Sequence, residues 1–109
     1  CKNLKNIKNV IFSEYSSNNS YFIFQILCEK RDSLLNFFKK NKIGVSVHYK
    51  KPLPMMTYYK KKYKLNETNF KNAKYYADNN ISLPNYPKLD NKEIDYICNK
   101  IKRFYQNIN

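Results

Sequence analysis

The sequence holds one glycine, Gly44, one histidine, His48, and no tryptophan. A lone glycine leaves no Gly-rich loop to cradle a phosphate, which excludes the dinucleotide-binding and P-loop signatures. His48 has no Asp or Glu close to it in sequence, and the eight carboxylates are dispersed along the chain. The three or four ligands of a metal centre are therefore not expected. Cys1, Cys28 and Cys98 are odd in number with no close pair, so neither a disulfide framework nor a Cys-x-x-Cys site is expected. A reducing cytoplasm suits such cysteines. A nucleophilic pair of Cys28 with His48 is disfavoured, because Cys28 ends an apolar run and burial raises a thiol's pKa. The longest apolar run, residues 21–28, is far too short to span a bilayer, and no membrane anchor is visible.

Arginine is scarce as well. Arg31 and Arg103 are the only two, so the net charge of +13 is almost wholly lysine, scattered between asparagines. A balance this basic raises nucleic acid or an anionic membrane as a partner. Readers of bases and phosphates favour arginine's rigid fork, however, and abundant Lys with Asn also fits a genome-wide compositional bias. A free-standing basic α+β module that binds nucleic acid or another anion is kept as the alternative reading.

What is present fits one domain: 109 residues, with eleven Tyr and seven Phe to fill a packed core. The first residue is Cys1, and the polar, Lys-rich segment around it is no signal peptide. A piece of a longer chain is the expectation. Leu4 and Ile7 stand three apart, as at the end of a helix that starts upstream, and residues 10–12 read as a short strand. Residues 14–20 form a polar loop. Residues 21–28, apolar on both faces apart from Gln25, predict a buried central strand.

Arg31 or Asp32 opens a helix to about Asn41, with Leu34, Leu35, Phe37 and Phe38 as its buried stripe. Residues 45–49 alternate and read as a strand. Pro52 and Pro54 mark a rigid break, followed by a short helix over about 55–62. Asn69 is expected to cap the next helix, with Phe70, Ala73 and Ala77 on one side. Residues 81–83 are extended. Asp90 then opens the last helix, with Glu93 in capping-box spacing and Ile94, Ile97, Ile101 and Phe104 as its stripe. The expected fold is α+β, a small antiparallel or mixed sheet covered by helices. Residues 1–19 are expected to be the end of a preceding helix and a linker, and 20–109 the domain itself.

Taken together, Tyr21-Phe22-Ile23-Phe24, Arg31-Asp32, Ile43-Gly44-Val45, Val47-His48-Tyr49, Pro52-Leu53, Asn69-Phe70, Ile81-Ser82-Leu83-Pro84, Tyr86-Pro87 and Leu89 carry a collective signal. In this order and at these gaps they resemble the C-terminal small domain of the DegT-like (DegT/DnrJ/StrS) sugar-nucleotide aminotransferases, which depend on pyridoxal phosphate (PLP). The resemblance runs from about Ser20 to Tyr105, and its most specific parts are the His-Tyr…Pro-Leu and Ser-Leu-Pro…Tyr-Pro steps. It implies an aspartate-aminotransferase-like (type I) fold and a homodimer with shared active sites. The implied reaction moves an amino group from glutamate onto a nucleotide-linked keto sugar, for amino-sugar and surface polysaccharide synthesis.

The resemblance also implies that the Schiff-base lysine and most PLP contacts belong to a large domain of the parent chain, upstream of these residues. No catalytic residue is expected in this chain, and alone it should be inactive. His48 and Tyr49 match the family's His-Tyr step at the rim of the site. They are the expected substrate-binding pair: His48 donates to a sugar or phosphate oxygen, and Tyr49 adds a polar or stacking contact. The competing reading makes His48 a strand-closing residue and Tyr49 core. Pro52, Leu53, Pro84 and Pro87 are expected to shape loops, Tyr58, Tyr59 and Tyr63 to pack a helix, and Arg31 and Asp32 to start one. Two departures stand out. Pro54 lies near the place of a second histidine common in the family, and Lys42 replaces a glycine that ends a helix in left-handed geometry, a role expected to pass to Asn41.

Overall fold

A capping box starts the longest element. In the computed structural model, which describes residues 4–108, Asp90 precedes α4 (Asn91–Gln106) in extended conformation. Its carboxylate accepts the Glu93 N–H at 2.8 Å, and the Glu93 carboxylate accepts the Asp90 N–H at 3.1 Å. Backbone donors that the helix itself cannot satisfy are thus paired by residues three apart. α4 buries Ile97, Ile101 and Phe104 as expected, with Cys98 and Tyr105 beside them, while Ile94 stays at the exposed margin. α1 (Arg31–Lys40) turns Leu34 and Phe38 into the same core, and Phe37 meets the Phe104 ring at 5.3 Å.

These helices cover a three-stranded antiparallel sheet with the order β1 (Val10–Ile11), β2 (Phe24–Cys28), β3 (Asn80–Leu83). β2 is central, as its apolar run predicts, with Ile26 opposite Ile81 and Cys28 opposite Val10. Leu4 and Val10 join the core cluster. Cys1 lies outside the described residues; from Leu4 the chain makes tight turns, with the Ile7 and Val10 N–H groups donating to the Leu4 and Ile7 carbonyls. Among the described residues no helix is long and apolar enough to cross a membrane.

Several elements differ from their sequence expectation, each for a physical reason. β2 begins at Phe24 and not at residue 21. Asn19 Oδ1 accepts the Tyr21 N–H at 2.9 Å, Tyr21 adopts a left-handed φ of 49°, and the entering chain leaves Phe22 80 % exposed. Residues 45–49 form no ladder: one bridge joins Ser46 to Ser82, and then side chains take over the backbone groups. The helix over 55–62 divides into a 3-10 turn, Leu53–Met55, and α2 (Thr57–Lys62), with Met56 extended between them.

Asn69 caps nothing. Asn66 Oδ1 accepts the Thr68 N–H at 3.1 Å and starts a 3-10 turn, Glu67–Phe70, that runs into α3 (Lys71–Asn79). Of the expected α3 stripe, Ala77 is buried and Ala73 exposed. Past α1, Lys42 itself takes the left-handed φ of 57°, and the Ile43 N–H reaches back to the Phe38 carbonyl at 3.0 Å. Asn41 instead donates its side chain to the Phe37 carbonyl at 2.8 Å and accepts from Lys100 at 2.6 Å.

Candidate functional site

The segment after α1 runs beside β3. The Ser46 N–H donates to the Ser82 carbonyl at 3.2 Å, and the Ser82 N–H donates to the Ser46 carbonyl at 2.8 Å. Two residues further on, a strand would continue with backbone pairing. Here the Asn80 side chain replaces it: Oδ1 accepts the His48 N–H at 3.0 Å, and Nδ2 donates to the Tyr49 carbonyl at 3.2 Å. Nδ2 also reaches the Tyr76 and Ala77 carbonyls at 2.9 and 3.3 Å, at the end of α3. Asn80 is 0 % exposed, so its end of each of these bonds is shielded from water.

The His48 carbonyl is held from the other side by Gln25 Nε2 at 2.8 Å, and Gln25 Oε1 in turn accepts the Tyr76 hydroxyl. Partial burial raises the Tyr76 pKa, keeping that hydroxyl a donor. The peptide bond between His48 and Tyr49 is cis. Their rings meet edge to face, with centroids 5.5 Å apart. His48 is half-buried and its Nδ1 lies 2.8 Å from Ser82 Oγ. Tyr49 is 70 % exposed, which places its ring on the surface of this chain.

His48 opens on a cleft of about 390 Å³ whose lining includes Phe22, Ser46, Ser82, Pro84 and Asn85. The arrangement can present hydrogen-bonding groups to a polar ligand along an apolar wall. No lysine and no carboxylate lines the cleft. Its residues therefore do not fit the anchoring of PLP, which takes a lysine amine and a partner at its pyridine nitrogen.

The remaining candidates lie apart from this cleft. Tyr58, Tyr59 and Tyr63 are exposed on and just beyond α2, with Tyr58 edge-on to Tyr59 and Tyr59 parallel to Tyr63. Lys62 Nζ rests 5.3 Å from the Tyr58 centroid and 5.4 Å from that of Tyr63. Cys28 is buried, donates to the Asn79 carbonyl at 3.4 Å, and has its pKa pushed up to about 11, chiefly by burial. Arg31 does more than start a helix. Its guanidinium is buried, donates to the Ala77 and Asn80 carbonyls at 3.0 and 3.4 Å, and pairs with exposed Asp32 at 2.6 Å.

Sequence reasoning singled out His48 and Tyr49 but not the residues that hold them. Gln25 had a signal, as the one polar residue in an apolar strand. Asn80 had none, because asparagine is common throughout this chain.

A small antiparallel sheet covered by helices is the α+β arrangement of an aspartate-aminotransferase-like fold. DesV of S. venezuelae superposes with a TM-score of 0.86 over 94 % of this chain and 28 % of its own, at 18 % identity, which establishes the fold. A protein of Streptococcus pneumoniae described as a sugar aminotransferase, solved in its PLP form, gives 0.83 at 25 % identity over 99 % of this chain and 29 % of its own. An aminotransferase from Brucella abortus gives 0.81 at 26 % identity, over 94 % and 27 %.

Residues 2–102 match the DegT/DnrJ/EryC1/StrS aminotransferase family, and the chain belongs to that family. An uncharacterized protein of Methanocaldococcus jannaschii is 33 % identical over 73 residues, 67 % of this chain and 19 % of its own length. The spore coat polysaccharide biosynthesis protein SpsC of Bacillus subtilis is 33 % identical over 60 residues, 55 % of this chain and 15 % of its own. The chain thus spans less than a fifth of the curated relatives it matches and less than a third of these solved structures.

Proposed function

We propose that this chain is the substrate-side small domain of a PLP-dependent aminotransferase that moves an amino group from glutamate onto a nucleotide-linked keto sugar. The product would feed amino-sugar and surface polysaccharide synthesis in the cytoplasm. In this reading the Schiff-base lysine and most of the PLP site belong to the large domain of the parent chain, which works as a homodimer. The chain alone is catalytically silent.

The observation that carries the reading is the His48–Tyr49 step. Asn80 and Gln25 hold its backbone, the His48 ring lies on a cleft, and the Tyr49 ring stands in the open. Such a pair offers a ring N–H and a phenol to sugar hydroxyls or phosphate oxygens. The absence of lysine and carboxylate from the cleft lining supports a role beside the cofactor rather than around it. A likeness confined to under a third of the solved PLP-form relative supports a large remainder in the parent.

The test is to produce the full-length parent with PLP and supply glutamate with a panel of nucleotide-linked keto hexoses. Formation of 2-oxoglutarate together with an aminated sugar nucleotide is expected. His48→Ala should raise KM for the sugar nucleotide about tenfold, the loss of one hydrogen bond to a polar or charged oxygen. A parent that aminates none of the panel, or a His48→Ala variant with unchanged KM, would defeat this assignment.

A further inference from the structure

We propose that Ser82 is a positioning residue for His48, selecting the ring tautomer that keeps Nδ1 as acceptor and turns Nε2–H into the donor of the site. The inference rests on the substrate-facing reading of His48 and adds to it the chemical sense of the bond that His48 makes. Ser82 is buried on β3, and both of its backbone groups are committed to Ser46. Its hydroxyl has a single partner among the described residues, His48 Nδ1 at 2.8 Å.

A serine hydroxyl both donates and accepts, so distance alone leaves the direction of this bond open. Burial settles it. If Nδ1 carried the hydrogen and donated to Oγ, the Ser82 hydroxyl hydrogen would have no acceptor among the described residues, on a residue only 5 % exposed, a costly arrangement. If Ser82 donates to Nδ1, every group in the pair is satisfied, and the hydrogen of the neutral ring sits on Nε2. Nε2 has no partner among the described residues.

The ring has little freedom to escape this pairing. The His48 N–H is fixed by Asn80 and its carbonyl by Gln25, so the backbone that carries the ring is pinned on both sides. β3 thereby sets backbone and ring together, Asn80 and Ser82 being two residues apart and on the same side of the strand. The ligand group suited to an Nε2–H donor is an oxygen acceptor: a hydroxyl, a carbonyl or a phosphate oxygen.

The experiment uses the full-length parent with its histidines labelled with ¹⁵N, and His48 identified by the resonances lost in His48→Ala. A non-protonated Nδ1 and a protonated Nε2 are expected, with the Nδ1 resonance displaced upfield as that of a hydrogen-bond acceptor. The displacement should vanish in Ser82→Ala and return in Ser82→Thr, which restores the hydroxyl. In parallel, Ser82→Ala should raise KM for a nucleotide-linked keto hexose about three- to tenfold in the native background, and less than about twofold in His48→Ala, because coupled residues are not additive. A protonated Nδ1 in the native protein, an Nδ1 resonance unmoved by Ser82→Ala, or an equal effect of Ser82→Ala in both backgrounds would overturn the proposal. A His48→Ala variant with unchanged KM removes the substrate reading instead, and the ring resonances still decide the role of Ser82.

Discussion

The side chain of Asn80 straddles the peptide that follows His48, accepting the His48 N–H at 3.0 Å with one arm and donating to the Tyr49 carbonyl at 3.2 Å with the other. The same amide closes the end of α3 through the Tyr76 and Ala77 carbonyls. One buried residue therefore joins the last turn of a helix to the loop that bears the candidate site. An amide suits this place because it alone supplies an acceptor and two donors from one planar group.

Replacing Asn80 removes all of these bonds at once. Asn80→Ala should lower stability by about 2–4 kcal/mol, since it leaves buried backbone groups unpaired as well as losing packing. Urea unfolding reads the loss, and hydrogen exchange locates it: the His48 amide should exchange much faster while the amides of α4 respond only to the global change.

Arg31 is expected to behave as a structural bolt between the start of α1 and the end of α3. Its buried guanidinium meets carbonyl oxygens at the negative end of that helix, while its partner Asp32 is exposed. Arg31→Ala should cost about 2–3 kcal/mol, and Asp32→Ala under about 1 kcal/mol, because an exposed ion pair contributes little. Comparison of the two urea midpoints checks the order.

Stability should fall in alkali. The Cys28 thiol sits near 9.0 when unfolded and is pushed up to about 11 when folded, chiefly by burial. Between those values the unfolded chain has lost the proton and the folded chain still holds it, so raising the pH favours unfolding. The contribution is complete below the unfolded value and is lost as pH climbs through the folded one. It amounts to at most about 2–3 kcal/mol for a shift of this size. Burial raises Tyr76 and Tyr105 in the same direction. Cys28→Val should flatten the decline between pH 9 and 11, and in the native protein Cys28 should resist thiol reagents at pH 8 that label it after denaturation.

Among the described residues three lysines adopt backbone conformations that suit glycine: Lys30 precedes α1, and the other two each end a helix. Lys42 (φ 57°) and Lys64 (φ 51°) follow α1 and α2 at the left-handed turn, where the next N–H reaches back into the helix. Lys42→Gly and Lys64→Gly should each raise stability by up to about 1 kcal/mol, the side-chain penalty at this geometry less the entropy of a freer unfolded chain. Thermal or urea midpoints of the two variants and of their combination measure this.

Local chemistry is what the sequence by itself determined. The Asp90–Glu93 capping box, the Leu34 and Phe38 stripe of α1, the apolar run of β2, and the ordered His-Tyr, Pro-Leu and Ser-Leu-Pro steps all act between residues a few positions apart, or through pattern alone. The α+β class and the family followed from them, and both hold. The tertiary structure decided whatever depends on distant partners. Residues 45–49 alternate like a strand, yet past Ser46 their peptide groups meet the side chains of Gln25 and Asn80, which lie 23 and 32 positions from His48. Arg31 reads locally as a helix start, and its carbonyl partners lie 46 and 49 positions away. Asn66, and not Asn69, became a cap because the chain enters α3 through a 3-10 turn. No periodicity announces such pairings, since a side chain's hydrogen-bond partner is set by where the whole backbone brings the two groups together. Position by position, the residues that name His48 and Tyr49 are local, whereas those that hold them in place are not.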